Sequence, residues 1–259
     1  MTYNAIYSPG SIGSIRLRNR IVMPAMGTNL GTTDGQVTDR LIEYHRVRAK
    51  GGVGMNIVEM SCVDSPEGLT VPRLLRIDHD RFIPGLEKLA DAIRKGGSIP
   101  VLQLQHAGGM AASRQTGMQP VSASAVQMEP FREVSRPLSV GEIERIESCF
   151  ALSAKRAREA GFDAVEIHGA HVYLLQQFLS SILNKREDQY GGCLENRARF
   201  LLETIKAVRS EVGKDYVVWC RLICYVVDHI TTLVWRSLLC GVSRVHPFRR
   251  CFRLIFCAT

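Results

Sequence analysis

The sequence has little of what would mark a secreted, membrane-spanning or nucleotide-cradling chain. Ahead of residue 220 it holds only Cys62, Cys149 and Cys193, too sparse and scattered for a disulfide framework, which fits a reducing cytoplasm. The first twenty residues lack the apolar core of a signal peptide. The longest apolar run, around residues 222–242, is broken by Asp228, His229 and Arg236, which argues against a membrane span. A P-loop is absent, as is a GxGxxG after the first strand, so a dinucleotide-binding open sheet is disfavoured. The net charge of +8 is unevenly placed: past Leu222, Arg236, Arg244, Arg249, Arg250 and Arg253 face the single acid Asp228 and carry half of it. The rest of the chain shows no basic patch interleaved with aromatics, so no nucleic-acid role is expected.

What is present is an ordinary globular composition, 46% hydrophobic and 22% charged over 259 residues, enough for one large α/β domain. Short apolar segments at 20–24, 53–60, 99–105, 163–167 and 216–221 read as strands. Amphipathic segments at 40–50, 81–95, 139–160 and 194–212 read as helices, the first opened by Thr38-Asp39 and the third by Ser139. Strict alternation implies a parallel sheet with right-handed crossovers. Pattern alone allows a barrel or an open sheet. Residues 27–31, 61–73 and 110–138 read as loops, the last long enough to suggest a functional role.

Strand 163–167 delivers His168, His171 and Tyr173 at its carboxyl end, where parallel α/β proteins gather functional side chains. Two histidines three apart also suit a metal half-site or two structural imidazoles. No Cys or His motif at ligand spacing accompanies them, so no metal is assigned. His106, after the third strand, is read as shaping its loop. Tyr190, Glu195 and Arg197 are read as holding a loop and a helix start.

Several longer motifs then converge. His168-Gly-Ala-His171-Val-Tyr173, Gln177-Phe-Leu-Ser180, Asn184-Lys-Arg186, Asp188-Gln-Tyr190-Gly-Gly192 and Leu194-Glu-Asn-Arg197 together resemble the old yellow enzyme family. Asn19-Arg-Ile-Val-Met-Pro-Ala-Met26 and Gln103-Leu-Gln-His-Ala-Gly108 support the resemblance, which extends over about residues 5–222. The paired histidines and Met26-Gly-Thr-Asn29 look most like its 2-enoate and 2,4-dienoyl-CoA reductase branch. The resemblance implies a (β/α)8 barrel that binds FMN, draws electrons from NADH or NADPH, and reduces the C=C bond of small enone or enoyl substrates. Ala25, Met26 and Gly27 would then lie along the isoalloxazine, Thr28 near its reactive edge, and Met60 against it. Gln103 would bond its pyrimidine edge and Arg221 would sit beside N1 and O2. His168 and His171 would hold the substrate carbonyl oxygen, and Tyr173 would protonate the α-carbon. Relatives carry Cys, Thr or His where Gly27 stands, so flavin tuning by that side chain is missing here.

After Leu222 the family pattern stops. Residues 223–259 lack glutamate and lysine and are rich in Cys, Arg, Leu and Val, as an out-of-frame or chimeric gene end would be. The expectation is therefore a TIM-type barrel truncated after about five strands, residues 1–222, with a divergent tail, 223–259. Five strands leave edges that invite self-association. The competing expectation is an inactive fragment that binds no flavin alone and survives by pairing with another chain.

Overall fold

The computed structural model describes residues 4–128 and 133–223, and the backbone of 253–257. A hairpin, Gly10–Ile12 against Ile15–Leu17, comes first. Five parallel strands follow: β1 (Val22–Met23), β2 (Met55–Cys62), β3 (Ile99–Gln105), β4 (Ala164–Gly169) and β5 (Val217–Ile223). Between them run α1 (Asp39–Lys50), α2 (Ile83–Lys95), α3 (Val140–Glu159) and α4 (Leu194–Val212), with a shorter helix, Leu174–Leu179, after β4.

The strands lie side by side in chain order. A doubly wound open sheet reverses its order at a switch point, so sequential order decides for the barrel alternative. The sheet also curls, because Arg221 at the end of β5 donates from Nη1 to the carbonyl oxygen of Ala25, just past β1, at 3.4 Å. The architecture is a half-barrel of the (β/α)8 type, five parallel strands among the described residues.

Burial explains the curl. Val58, Leu102, Leu104, Val165, Ile167 and Val218 face the helices and pack with Leu41, Leu86, Leu89, Ile143, Phe150 and Phe200. Each such buried side chain stabilises by about 1.5–3 kcal/mol. The alternate residues Met55, Ile57, Val101, Ala164, Val217 and Trp219 face inward and meet Ile15 and Leu17 of the hairpin, which plugs one end. The other end, where the strands finish, is left for polar groups.

Local signals set the element ends. Thr38 accepts from Leu41 N at 3.2 Å to cap α1. Ser139 and Glu142 form a reciprocal capping box on α3, and Arg136 grips Glu142 through both nitrogens at 3.0 and 2.8 Å. That guanidinium, first among several contacts, holds the Glu142 carboxyl down at about 2. The loop 110–138 contains two small strand pairs, Val121–Ser122 with Arg136–Pro137 and Gln127–Met128 with Glu133–Val134.

Strand β5 runs through Ile223, and the expectation for residues 223–259 otherwise falls mostly outside the described residues. Their one described segment, Arg253–Cys257, pairs antiparallel with β5, a direction foreign to an all-parallel barrel.

Candidate active site

Register stacks the polar residues in layers. Glu166 on β4 lies beside Gln103 on β3 and Trp219 on β5, and two residues onward His168 lies beside Arg221. In the lower layer Gln103 Nε2 donates to Glu166 Oε1, and Trp219 Nε1 donates to Glu166 Oε2 at 2.8 Å. A single acid inside the apolar segments MNIVEMSC and AVEIHG was the sequence signal for Glu59 and Glu166. Neither was singled out.

The upper layer is the mouth. His168, 2% exposed, stands at the end of β4, with His171 and Tyr173 in the turn beyond it. The His168 and His171 rings meet edge to face at 5.0 Å, and Tyr173 meets His168 at 4.8 Å. Hydrogen bonding fixes the protons. Ala170 N–H donates to His168 Nδ1 at 3.2 Å, so the His168 proton is on Nε2 and points at His171 Nδ1, 3.1 Å away. The His171 proton is then on Nε2, 3.4 Å from Arg221 Nη2. His171 Nε2 and Arg221 Nη2 thus meet at the mouth, two groups able to donate to an acceptor oxygen.

Burial, reinforced by His171 and Arg221, holds the His168 imidazole well below its ordinary pKa of 6.5, so it is neutral. Burial likewise raises the Tyr173 phenol above 10, with Thr70 and Arg221 opposing. The tyrosine is a protonated acid across the ordinary pH range.

The β1 exit closes over this mouth. A β-bulge in β2 falls between Val58 and Met60, and such bulges re-aim side chains. Glu59, fully buried, accepts from Thr28 N–H through Oε2 and has no partner for Oε1 among the described residues. Burial raises its pKa, opposed by Thr28. A Cβ on Gly27 would come within 2.8 Å of Met60 Cε, so the thioether takes the room that a side chain at 27 would need. Met26 is 47% exposed at the rim. Ala25, Met26, Gly27, Thr28, Met60, Gln103, His168, His171, Tyr173 and Arg221 therefore all belong to the half-barrel's inner face or its mouth.

A second polar cluster lies on the same rim. Asp64, Glu67 and His106 place potential ligand atoms within 4.8 Å of one another. Arg145, however, pairs with Asp64 at 2.8 Å and Glu67 at 3.1 Å. Gly108 N–H donates to His106 Nδ1 at 3.0 Å, which leaves the proton on Nε2, facing Asp64 at 3.5 Å. A protonated nitrogen and two arginine-paired acids make an ion network that ties loops to α3, not a cation site. Tyr190 and Arg197 are also tied to protein groups, Tyr190 to Glu203 at 2.9 Å and Arg197 Nε to Leu179 O at 3.0 Å.

Comparison with known proteins points one way. The model of the NADH:flavin oxidoreductase / NADH oxidase family matches residues 5–230. An NADH oxidase of Thermoanaerobacter brockii is 45% identical over 212 residues, which are 82% of this chain and 33% of that protein. Among solved structures, a 2-naphthoyl-CoA reductase in complex with 2-naphthoyl-CoA superimposes with a TM-score of 0.81 at 33% identity, covering 85% of this chain and 35% of the other. An old yellow enzyme homologue from Zymomonas mobilis gives 0.79 at 31% identity, covering 84% and 63%. The chain thus spans a third to two thirds of the length of these relatives. No helix among the described residues is long and apolar enough to cross a membrane.

Proposed function

The chain belongs to the NADH:flavin oxidoreductase / NADH oxidase family, and from that premise we propose that it is an FMN-dependent reductase of α,β-unsaturated carbonyl or enoyl compounds, with NADH or NADPH as donor. The observation that carries this reading is the cluster of His168, His171, Tyr173 and Arg221 at the strand exits, with His171 Nε2 3.4 Å from Arg221 Nη2 and Tyr173 packed edge to face on neutral His168.

The residues present suit a flavin. Ala25, Met26 and Met60 offer an apolar face, and Gly27 leaves it free of a branching side chain. Gln103 gives its amide nitrogen to Glu166 and has no protein partner for Oε1 among the described residues. Arg221, 6% exposed, supplies buried positive charge, and the orphaned Glu59 Oε1 is a further polar atom at the same face. Bound flavin would supply hydride transfer to carbon.

The chain's own part is electrostatic. His168 spends its Nε2–H on His171 Nδ1, so the Nε2–H of His171, oriented by that bond, holds the substrate carbonyl oxygen beside Arg221 and stabilises charge building there. Neutral imidazoles donate without attracting a counter-ion of their own. The Tyr173 O–H, kept protonated by burial, gives its proton to the α-carbon.

The test begins with FMN added to the purified chain and gel filtration. The expected result is a visible flavin band that co-elutes with folded protein, and whose retention falls about ten-fold or more in Arg221→Ala. With NAD(P)H and an enone, loss of either histidine is expected to lower turnover by roughly 10²–10³, and Tyr173→Phe by about 10²–10⁴. A folded chain that elutes colourless defeats the reading and favours an inherited, idle constellation.

A further inference from the structure

We propose that Gln177 is the positioning residue of the loop 168–173, holding His171 in a backbone conformation that the loop's own residues disfavour. The observation is a pair of adjacent left-handed residues, neither of them glycine. His171 has φ +54° and Val172 φ +61°. A β-branched residue rarely adopts that region, and it persists only where surrounding structure over-determines it.

The over-determination is visible. Val172 N–H donates to Gln176 Oε1, and Val172 O accepts from Gln177 Nε2 at 2.6 Å. Gln177 has no solvent exposure. Its Nε2 also donates to Ala107 O at 3.2 Å, and its Oε1 accepts from Gly109 N at 3.0 Å. One buried amide therefore ties the β3 exit to the β4 exit. The notch that admits it depends on Gly108, where a Cβ would lie 2.4 Å from Gln177 Oε1. Leu174 N–H on His106 O, at 3.1 Å, anchors the same helix to the same strand end.

Without the clamp, Val172 would relax toward an ordinary φ and swing its neighbour. His171 would then lose the 3.1 Å contact with His168 and its approach to Arg221. In catalytic terms this rests on the function proposed above, because it says how that site is held. Its geometric content stands without a cofactor.

The test uses the full chain with 15N-labelled histidine. Long-range 1H–15N spectra of the wild type should show His168 as the Nε2–H tautomer with a slowly exchanging proton. Gln177→Met keeps the length and removes both bonding functions. The expected result is exchange at His168 Nε2 about ten-fold faster or more, with His171 averaging between tautomers. Val172→Gly in that background frees the backbone to adopt φ above zero, and should restore the wild-type signature. Val172→Gly alone should keep the signature and raise the melting temperature.

An unchanged signature in Gln177→Met overturns the proposal. So does a lost signature that Val172→Gly does not restore, because that marks general packing. If Gln177→Met does not fold, the double variant decides: folding with the signature supports the clamp, and failure to fold overturns it. None of these readouts needs flavin, so a colourless chain would defeat the proposed function and leave this inference standing.

Discussion

Asn56 and Glu59 sit on one strand, both without solvent exposure, and their polar ends are treated differently. Asn56 turns to α1 and closes a ring with His45, its Oδ1 accepting from His45 Nδ1–H at 2.8 Å and its Nδ2 donating at 3.2 Å to the His45 carbonyl. Glu59 turns to the β1 exit and keeps one oxygen without a partner among the described residues. The helix-facing side thus closes its amide on a neighbour, whereas the mouth side leaves a buried carboxyl oxygen without a partner among the described residues. Folding explains the first arrangement, since buried polar groups are costly unless paired. The second lowers no folding free energy, which fits the candidate site at this mouth.

The largest effect that would sharpen this contrast belongs to the helix side. Phe150 is fully buried between α3 and the strands, and Phe150→Ala should lower the unfolding free energy by about 3–5 kcal/mol. Urea unfolding checks this, and a loss below about 1 kcal/mol would break the assignment of that face as the stabilising one.

His45 gives the next effect, through pH. Burial lowers its pKa to about 4, with the Asn56 bond opposing. The unfolded chain takes up the proton near 6.5, so His45 destabilises the fold as pH falls from 6.5 and the loss levels off near 4. The expected loss is on the order of 3 kcal/mol, and melting curves of His45→Gln should be flatter over that window. His168 acts with the same sign. Replacing it should also alter ligand binding at the mouth, whereas His45→Gln should not.

Much of this was legible beforehand. Strand β3 and helix α4 fall on the residues that periodicity assigned, 99–105 and 194–212. Strand β2 begins two residues later than its apolar run. Gly54 N–H bonds Ile21 O and Ser98 Oγ bonds Val53 O, so tertiary pairing, not propensity, sets that end. The hairpin at 10–17 was hidden in a Gly/Ser-rich stretch without a long alternation. His168, His171, Tyr173 and Arg221 could be named because they stand in recognisable motifs. The partners of Glu166, and the Ala107 and Gly109 backbone groups that Gln177 bonds, come from strands and loops distant in sequence, and no local pattern encodes them.

The smallest effect tests the mouth itself. Glu59→Gln keeps an oxygen for Thr28 N–H and removes the ionisable group. Because burial raises the folded pKa of Glu59 above its unfolded value near 4.5, the wild-type carboxyl favours the fold at low pH. It costs stability as pH climbs past 4.5, when the unfolded chain releases its proton first. Relative to the variant, the wild type should therefore lose stability between pH 4 and pH 8. Urea midpoints of the two proteins across that range decide it. A constant difference would mean that Glu59 meets compensating charge, and the unpartnered oxygen would then be as closed as Asn56. A difference that shrinks when FMN is added would instead assign that oxygen to the ligand, and the contrast between the two faces would rest on binding as well as on geometry.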